Sequence, residues 1–343
     1  MYADVAFLNS GFQTFAYKIP KDLETKVKIG AFIKAPFRTK IVVGIIVSIK
    51  NKTSYKGFVK YIDFVDESII ISKELWSLAL WISKYYHTPI GTVIKSIVPS
   101  NITSEYKPNS VFEVTVEKKL NIDEFNKLKS KAPNQYKILN FISKKKSSTL
   151  ISELRIINSQ ALTLCRALEN KNLVRVKSFF SDKTLEKNTF DPIHKKIIFN
   201  KEQRFVNLKI INALNTKVFS PFLLHGVTGS GKTEIFINAV KHCLSQERTA
   251  IILLPEISLT PQIAGRFRSV FGDTVALWHS KLTKSQKWIT WNKIIKYQYN
   301  IVIGARSAVF SPLKNLGLII VDEEQESSFR QENPSPRYNA RDV

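Results

Sequence analysis

Gly226-Val-Thr-Gly-Ser-Gly-Lys-Thr233 is the stretch whose residue types and spacing most directly specify chemistry. Gly226, Gly229 and Gly231, with Thr228 and Ser230 between them, let the backbone curl until successive N–H groups point inward at an anion. Lys232 is then placed to reach the β- and γ-phosphates of a nucleoside triphosphate, and Thr233 to set its hydroxyl on Mg²⁺. A second constellation, Asp322-Glu323, ends the apolar run Leu318-Ile-Ile-Val321. There Asp322 would hold the same Mg²⁺ as Thr233, and Glu323 would polarise the attacking water. Lys232, Asp322 and Glu323 are therefore the expected catalytic residues.

These groups need a scaffold. Pro221–His225 is a short apolar run expected to form a buried strand, and Thr233–Ser245 carries Ile235, Ala239, Val240 and Cys243 on one side of an expected helix. Strand, glycine loop, helix is what the loop requires, because the helix N-terminus adds its positive end to the anion site. Strand–helix alternation continues, with strands expected at Phe222–His225, Ala250–Leu254, Val275–Leu277, Ile301–Ile303 and Leu318–Val321, the mark of a parallel α/β sheet. The Asp-Glu form at its strand end points to helicase-type motors rather than small kinases. Two further strand-end loops, Pro255–Gln262 and Gly304–Ser307, offer Ser258, Thr260, Gln262, Arg306 and Ser307 to a nucleic-acid backbone, contacts that set register without reading sequence.

The N-terminal region is β-rich. Ala31–Ala35 and Ile41–Lys50 are strand-like around a hairpin loop, Pro36–Lys40, with Gly44 as a candidate bulge. A helix capped by Ser72 runs to His87; it is apolar nearly all round and expected to be buried. Residues 106–190 read as a small module. A strand at Val111–Val116 precedes helices at Gln135–Ser143, Leu150–Ile156 and Ser159–Asn170, and a strand hairpin begins at Leu173–Phe180. That is the order of a winged helix, in which Arg166, Lys171, Arg175 and Lys177 would face DNA; a protein-docking module with ordinary surface charge is the alternative.

Composition sets the outer limits. The chain of 343 residues is 44% apolar, enough for two or three cores, and its formal charge is +24. Lysines number 40 against 12 arginines, a balance that gene composition can supply, so the charge supports a nucleic-acid partner only in part. No window approaches a membrane span, and the N-terminus has no signal-peptide pattern. Cys165 and Cys243 suggest neither a disulfide nor a metal site. A soluble cytoplasmic protein with no membrane partner is expected.

Together these segments resemble the PriA family of bacterial replication-restart helicases. GVTGSGKTE, PEISLTPQ, Trp278-His279-Ser280, GARSAVF, NLGLIIVDEEQ and the tail SSFRQ…RYNARD fall in family order with family spacing, and AYKIP, GAFIKAPF and YYHTPIG resemble its DNA-end-binding domain. The resemblance implies a multidomain α+β and α/β fold. Residues 1–105 would be the domain that binds a 3′ DNA end, 106–190 a winged helix, 191–200 a linker, and 201–343 a RecA-like P-loop lobe, the first of two. It implies ATP and Mg²⁺ as cofactors, unwinding from 3′ to 5′, binding of forked and single-stranded DNA, and primosome proteins and single-stranded-DNA-binding protein as partners. Gln203 falls at a family position near the nucleotide. Phe15, Tyr17 and Arg38 fall in the end-binding domain. Phe329, Arg337 and Tyr338 lie in the family's aromatic loop, where base stacking would sense a strand.

The pattern departs from the family at several places. Gln325 stands where His is usual, which is expected to alter ATP–DNA coupling more than abolish it. Pro334-Ser-Pro336 and Asn339 interrupt the aromatic loop. Ala16 replaces an Asp and Arg38 a Gly, and loss of a carboxylate would remove an acceptor for a 3′-hydroxyl. The chain stops at Val343, soon after Asp322. The family's second lobe and zinc-binding cysteine cluster are therefore not expected in it. Three readings follow: the front half of a restart helicase, a non-catalytic module that binds forks and nucleotide, and, against the N-terminal modules, a P-loop kinase or small-molecule NTPase.

Overall fold

In the computed structural model, the N-terminal alternation closes a five-stranded antiparallel sheet. Its strands are β1 (Tyr2–Phe7), β2 (Phe15–Lys18), β3 (Ala31–Phe37), β4 (Lys40–Lys50) and β5 (Phe64–Ile70), in the order β2-β1-β4-β3-β5. The structure describes residues 1–99, 110–118, 122–145, 148–180, 198–227, 229–256 and 261–343. The β3–β4 hairpin is tighter than expected. Phe37 pairs with Lys40, so only Arg38 and Thr39 turn the chain, with Arg38 at φ 54°. The irregularity expected at Gly44 lies instead at Val47 of the same strand: Asp4 pairs with Ser48 and Val5 with Ile46, so Val47 is the extra, unpaired residue. Gly44 serves close approach: a Cβ there would fall 2.5 Å from Val5 Cγ1.

Ser72 caps α1 (Lys73–Tyr85), its hydroxyl accepting from Leu75 N at 3.2 Å. The helix is not buried all round. Leu75, Ala79 and Ile82 face a core, while Leu80, Trp81 and Tyr85 are exposed. α2 (Ile90–Ile97) follows, and a Cβ at Gly91 would fall 2.1 Å from the Phe7 carbonyl oxygen, so only glycine permits this crossing.

The C-terminal lobe comprises α7 (Lys201–Thr216), α8 (Lys232–Ser245), β9 (Thr249–Leu253), α9 (Pro261–Phe271), β10 (Val275–Trp278), α10 (Lys284–Ile295), β11 (Ile301–Gly304) and β12 (Leu316–Val321). Its four strands are parallel in the order β10-β11-β9-β12. β9 and β11 are buried at every position, as strands covered on both faces should be. Capping boxes start α7 (Asn200 with Gln203) and α10 (Thr283 with Gln286). The strand expected at Phe222–His225 is not formed. A strand persists only with a ladder partner, and this segment is hydrogen-bonded to no strand, leaving Phe219, Phe222, Leu223 and Val227 exposed, Phe219 at 91%. β12, at the sheet's edge, leaves Ile319 46% exposed.

Residues Met1–Tyr106 and Glu186–Val343 form one compact unit, and Lys107–Leu185 another. Within the first, the N-terminal helices and the lobe share one core: Leu75, Ala79, Ile82, Val93, Ile94 and Ile97 join Leu253, Trp278, Trp291, Phe310, Phe329 and Tyr338. The second holds β6 (Ser110–Val116), α3 (Ile122–Lys131), α4 (Pro133–Lys144), β7 (Thr149–Leu150), α5 (Ile151–Leu154), α6 (Ala161–Glu169) and β8 (Val174–Phe180). Its sheet runs β7-β6-β8, and β8 pairs along its length with β6. The expected third-helix-to-hairpin order therefore becomes a sheet closed by the strand preceding the helices. Most of the expected linker, 191–197, lies outside the described residues.

The shared core makes a stability prediction. Ile82→Ala should lower the free energy of unfolding by about 2–5 kcal/mol. In urea denaturation, the fluorescence of Trp278, Trp288 and Trp291, read with Trp76 and Trp81 replaced by Phe, should lose its native signal at the same lowered midpoint as the far-ultraviolet circular dichroism.

Candidate nucleotide-binding site

The glycines hold the loop in the shape its residue types predict. Gly229 has φ 79° and Gly231 φ 85°, a left-handed backbone that residues with a Cβ rarely adopt. Gly231 is the N-cap of α8 and, among the described residues, no side chain caps that helix end; the Glu234 N–H turns back to Gly231 O at 3.0 Å, and the positive end of the helix is left open to an anion. Lys232 turns back into the loop, its Nζ donating to Gly226 O at 2.5 Å and Val227 O at 3.2 Å. Gln203, expected near the nucleotide, braces the loop: Nε2 donates to Ser230 O at 2.8 Å, while Oε1 accepts from Asn200 N at 3.0 Å. Helix start and phosphate loop are thus one hydrogen-bonded assembly. Thr228 lies outside the described residues; Thr233 sits half-buried on the first turn of α8.

Asp322 follows β12 directly, and its N–H continues the ladder to Leu253 O at 3.0 Å. Burial raises its carboxyl pKa. The Glu323 N–H, 3.1 Å from Oδ1, opposes that rise, the Glu323 charge reinforces it, and the Lys232 ammonium again opposes it. The influence of Lys232 places the two motifs in electrostatic reach of each other. Glu323 has φ 50°, and its carboxylate accepts from Gln325 Nε2 at 2.7 Å. The amide at position 325 thus fixes the orientation of the neighbouring acid. Among the described residues no group of three or more His, Cys, Asp or Glu could hold a metal. One hydroxyl and one carboxylate, Thr233 and Asp322, are instead the kind of sparse set that Mg²⁺ takes when phosphates and water complete its shell.

The remaining strand-end loops gather at the same edge, because parallel strands put all their carboxyl ends together. Ser280 Oγ donates to the Glu256 carboxylate, tying the loop after β10 to that after β9. Burial lowers the pKa of His279 beside it. Arg306 is half-buried and its Nη1 donates to Arg330 O at 2.9 Å. With Ser327, Arg330, Glu332 and Asn333 it lines a polar cleft. Thr260 and the side chain of Gln262 lie outside the described residues. Arg337 is exposed. Phe329 and Tyr338 are not available for stacking: each is 1% exposed, and Tyr338 packs on Phe310 at 5.0 Å, its pKa pushed up to about 12 by burial. They are pillars of the loop. Ser327 and Arg330, which sequence reasoning passed over, are what the loop turns outward to the cleft.

A family profile described as the 3′ DNA-binding domain matches residues 4–99, and one described as DEAD/DEAH box helicase matches residues 206–338. Proteins called "Replication restart protein PriA" are similar along the chain. That of Chlamydia pneumoniae is 33% identical over 100% of this chain and 46% of its own length, and that of Bacillus subtilis 29% identical over 96% and 49%. The Synechocystis relative is 51% identical over 121 residues, 35% of this chain and 15% of its own length. The chain belongs to the PriA family. It spans about half the length of the curated relatives it matches.

In the part that matches the PriA 3′ DNA-binding domain, the candidate residues divide. Tyr17 is buried, with its hydroxyl donating to Pro36 O at 3.0 Å and its ring edge against Phe7, so it cannot reach a nucleic acid. Phe15 is half-buried against Phe37 at 4.9 Å. Arg38 is exposed at the hairpin tip, its guanidinium over the Phe37 ring at 5.8 Å and its carbonyl accepting from Lys60 Nζ at 3.2 Å. Ala16 pairs across the ladder with Asp4, whose carboxylate binds Ser48 Oγ at 2.7 Å and Lys50 Nζ at 2.5 Å.

The raised pKa of Asp322 predicts a conflict between stability and function. A carboxyl whose folded pKa exceeds its unfolded value costs stability once ionised; the cost is absent below the ordinary Asp range and sets in as pH rises through the folded pKa. Asp322→Asn should therefore melt above the parent at pH 7, with the gap closing in acid, while Mg²⁺-dependent nucleotide affinity falls. Thermal melts across pH, with nucleotide titrations in Mg²⁺ and in EDTA, test both halves.

Proposed function

We propose that this chain is the nucleotide-binding and DNA-engaging part of an ATP-dependent DNA helicase that restarts replication, moving 3′ to 5′ on forked and single-stranded DNA in the bacterial cytoplasm. The observation that carries the reading is the convergence of the Lys232 loop, the Asp322-Glu323 pair and three strand-end loops at one edge of a parallel sheet. Lys232 and the first-turn N–H groups of α8 hold phosphates; Thr233 and Asp322 hold Mg²⁺; Glu323, steadied by Gln325, orients water. ATP bound there supplies the free energy that drives movement along the strand.

The strand-end residues Arg306, Arg330 and Arg337 meet the DNA backbone, with Thr260 and Gln262 as further candidates. The N-terminal sheet presents Phe15 and Arg38 to a 3′ end. Residues 107–185 act as a winged-helix-like DNA module, although several of its cations are engaged: Arg166 with Glu169, and Arg175 with Glu117. Primosome proteins and single-stranded-DNA-binding protein are the partners this reading proposes.

Titration with a fluorescent ATP analogue tests the reading. Lys232→Ala should weaken binding tenfold or more. Glu323→Gln should keep binding but cut DNA-stimulated hydrolysis, assayed with a second helicase lobe supplied, by about 10²-fold or more. Unchanged binding by Lys232→Ala would remove the assignment of the site.

A further inference from the structure

The outward face of α1 is unlike the solvated face of a helix in a lysine-rich chain. Leu80, Trp81, Lys84 and Tyr85 share one helical stripe opposite the buried Leu75, Ala79 and Ile82. Trp81 is 39% and Tyr85 64% exposed. Their rings are stacked, with centroids 4.7 Å apart and planes 15° from parallel, so each turns a single π-face to its neighbour. Tyr86 closes the group edge-on, 4.9 Å from Tyr85. Its hydroxyl accepts from Asn339 N at 3.3 Å and donates to Asp342 Oδ2 at 3.4 Å, fixing the cluster to the chain just beyond the 327–338 loop. Past the helix end, His87 stands at φ 46° with its ring 4.9 Å from that of Phe12, also exposed.

We propose that this aromatic stripe is a stacking platform for single-stranded nucleic acid, continuous through Tyr86 with the strand-end loops. Charge decides for this occupant. Across residues 73–95 the cations Lys73, Lys84 and Lys95 outnumber the one carboxylate, Glu74, and with Asp342 at Tyr86 counted the cations still lead, in a chain of net charge +24. Lysine is depleted from the cores of protein interfaces but neutralises phosphates, and bases stack on aromatic faces whatever their sequence. The 3′ DNA-binding profile covers these residues without assigning them a role. The proposal rests on the DNA-engaging reading above and extends it to a surface far in sequence from the motor motifs.

The test is binding of fluorescein-labelled oligo(dT) by anisotropy, together with photocrosslinking of the same oligonucleotide carrying 5-iododeoxyuridine. Trp81→Ala/Tyr85→Ala should weaken binding about tenfold or more, given base stacking at roughly 1–3 kcal/mol per base. Trp81→Phe should bind nearly as the parent does, and crosslinks should map to the peptide containing Trp81 and Tyr85. ATP-analogue affinity and the melting temperature should not change. Undiminished oligo(dT) binding with crosslinks elsewhere would overturn the platform and leave the helicase reading intact. Failure of the parent chain to bind oligo(dT) would overturn both. A concentration-dependent dimer that the double variant dissolves would assign the stripe to a second copy and also overturn the proposal.

Discussion

One buried core determines what every site in the larger unit can do. Trp278, Trp291 and Phe310 from the parallel-sheet lobe pack with Ile82, Val93 and Ile94 from the N-terminal helices, and with Phe329 and Tyr338 from the final loop. Burial on this scale is non-directional, but it fixes three chain segments against one another. The 327–338 loop therefore comes out of the core with Ser327 and Arg330 beside Arg306, and the end of α1 meets Asn339 and Asp342. The part that matches a 3′ DNA-binding domain and the part that matches a DEAD/DEAH box helicase behave here as one packed body.

The parts of this architecture written in local chemistry are legible in the sequence. The glycine loop, the helix after it, and the strands ending at Leu253, Trp278, Gly304 and Val321 follow from short-range rules: left-handed glycine, apolar runs, and caps. Ser72 was readable as a cap for the same reason. What escaped depended on partners far along the chain. Phe222–His225 has a strand-like composition but no ladder beside it. Phe329, Tyr338 and Tyr17 have the right type for base stacking, yet aromatic identity is the same in a core and on a surface. Burial, which only the tertiary fold sets, separates them from Trp81 and Tyr85. Gln203 showed the reverse: its family position suggested a nucleotide neighbour, and its geometry adds a capping role that sequence alone did not single out.

At the phosphate loop, electrostatics explains how the site holds its shape. The Lys232 ammonium is satisfied by two loop carbonyls, and the carboxyl of Asp322, in a desolvated position, feels that ammonium. Neither charge is left bare, which is the electrostatic condition the proposed nucleotide and Mg²⁺ site requires. Gln325 serves the same end for Glu323, supplying a neutral donor that steadies the acid without adding charge.

The free edge of β12 has a consequence of another kind. Edge strands with exposed apolar side chains are templates on which another chain can add, and β12 supplies both the edge and, in Leu316 and Ile319, the exposed apolar surface. The flank of the sheet beside the Walker-type acids is thus where self-association competes with correct folding. Colloidal behaviour at high concentration should be governed there, by whatever covers one strand, more than by the large positive charge spread over the rest of the molecule.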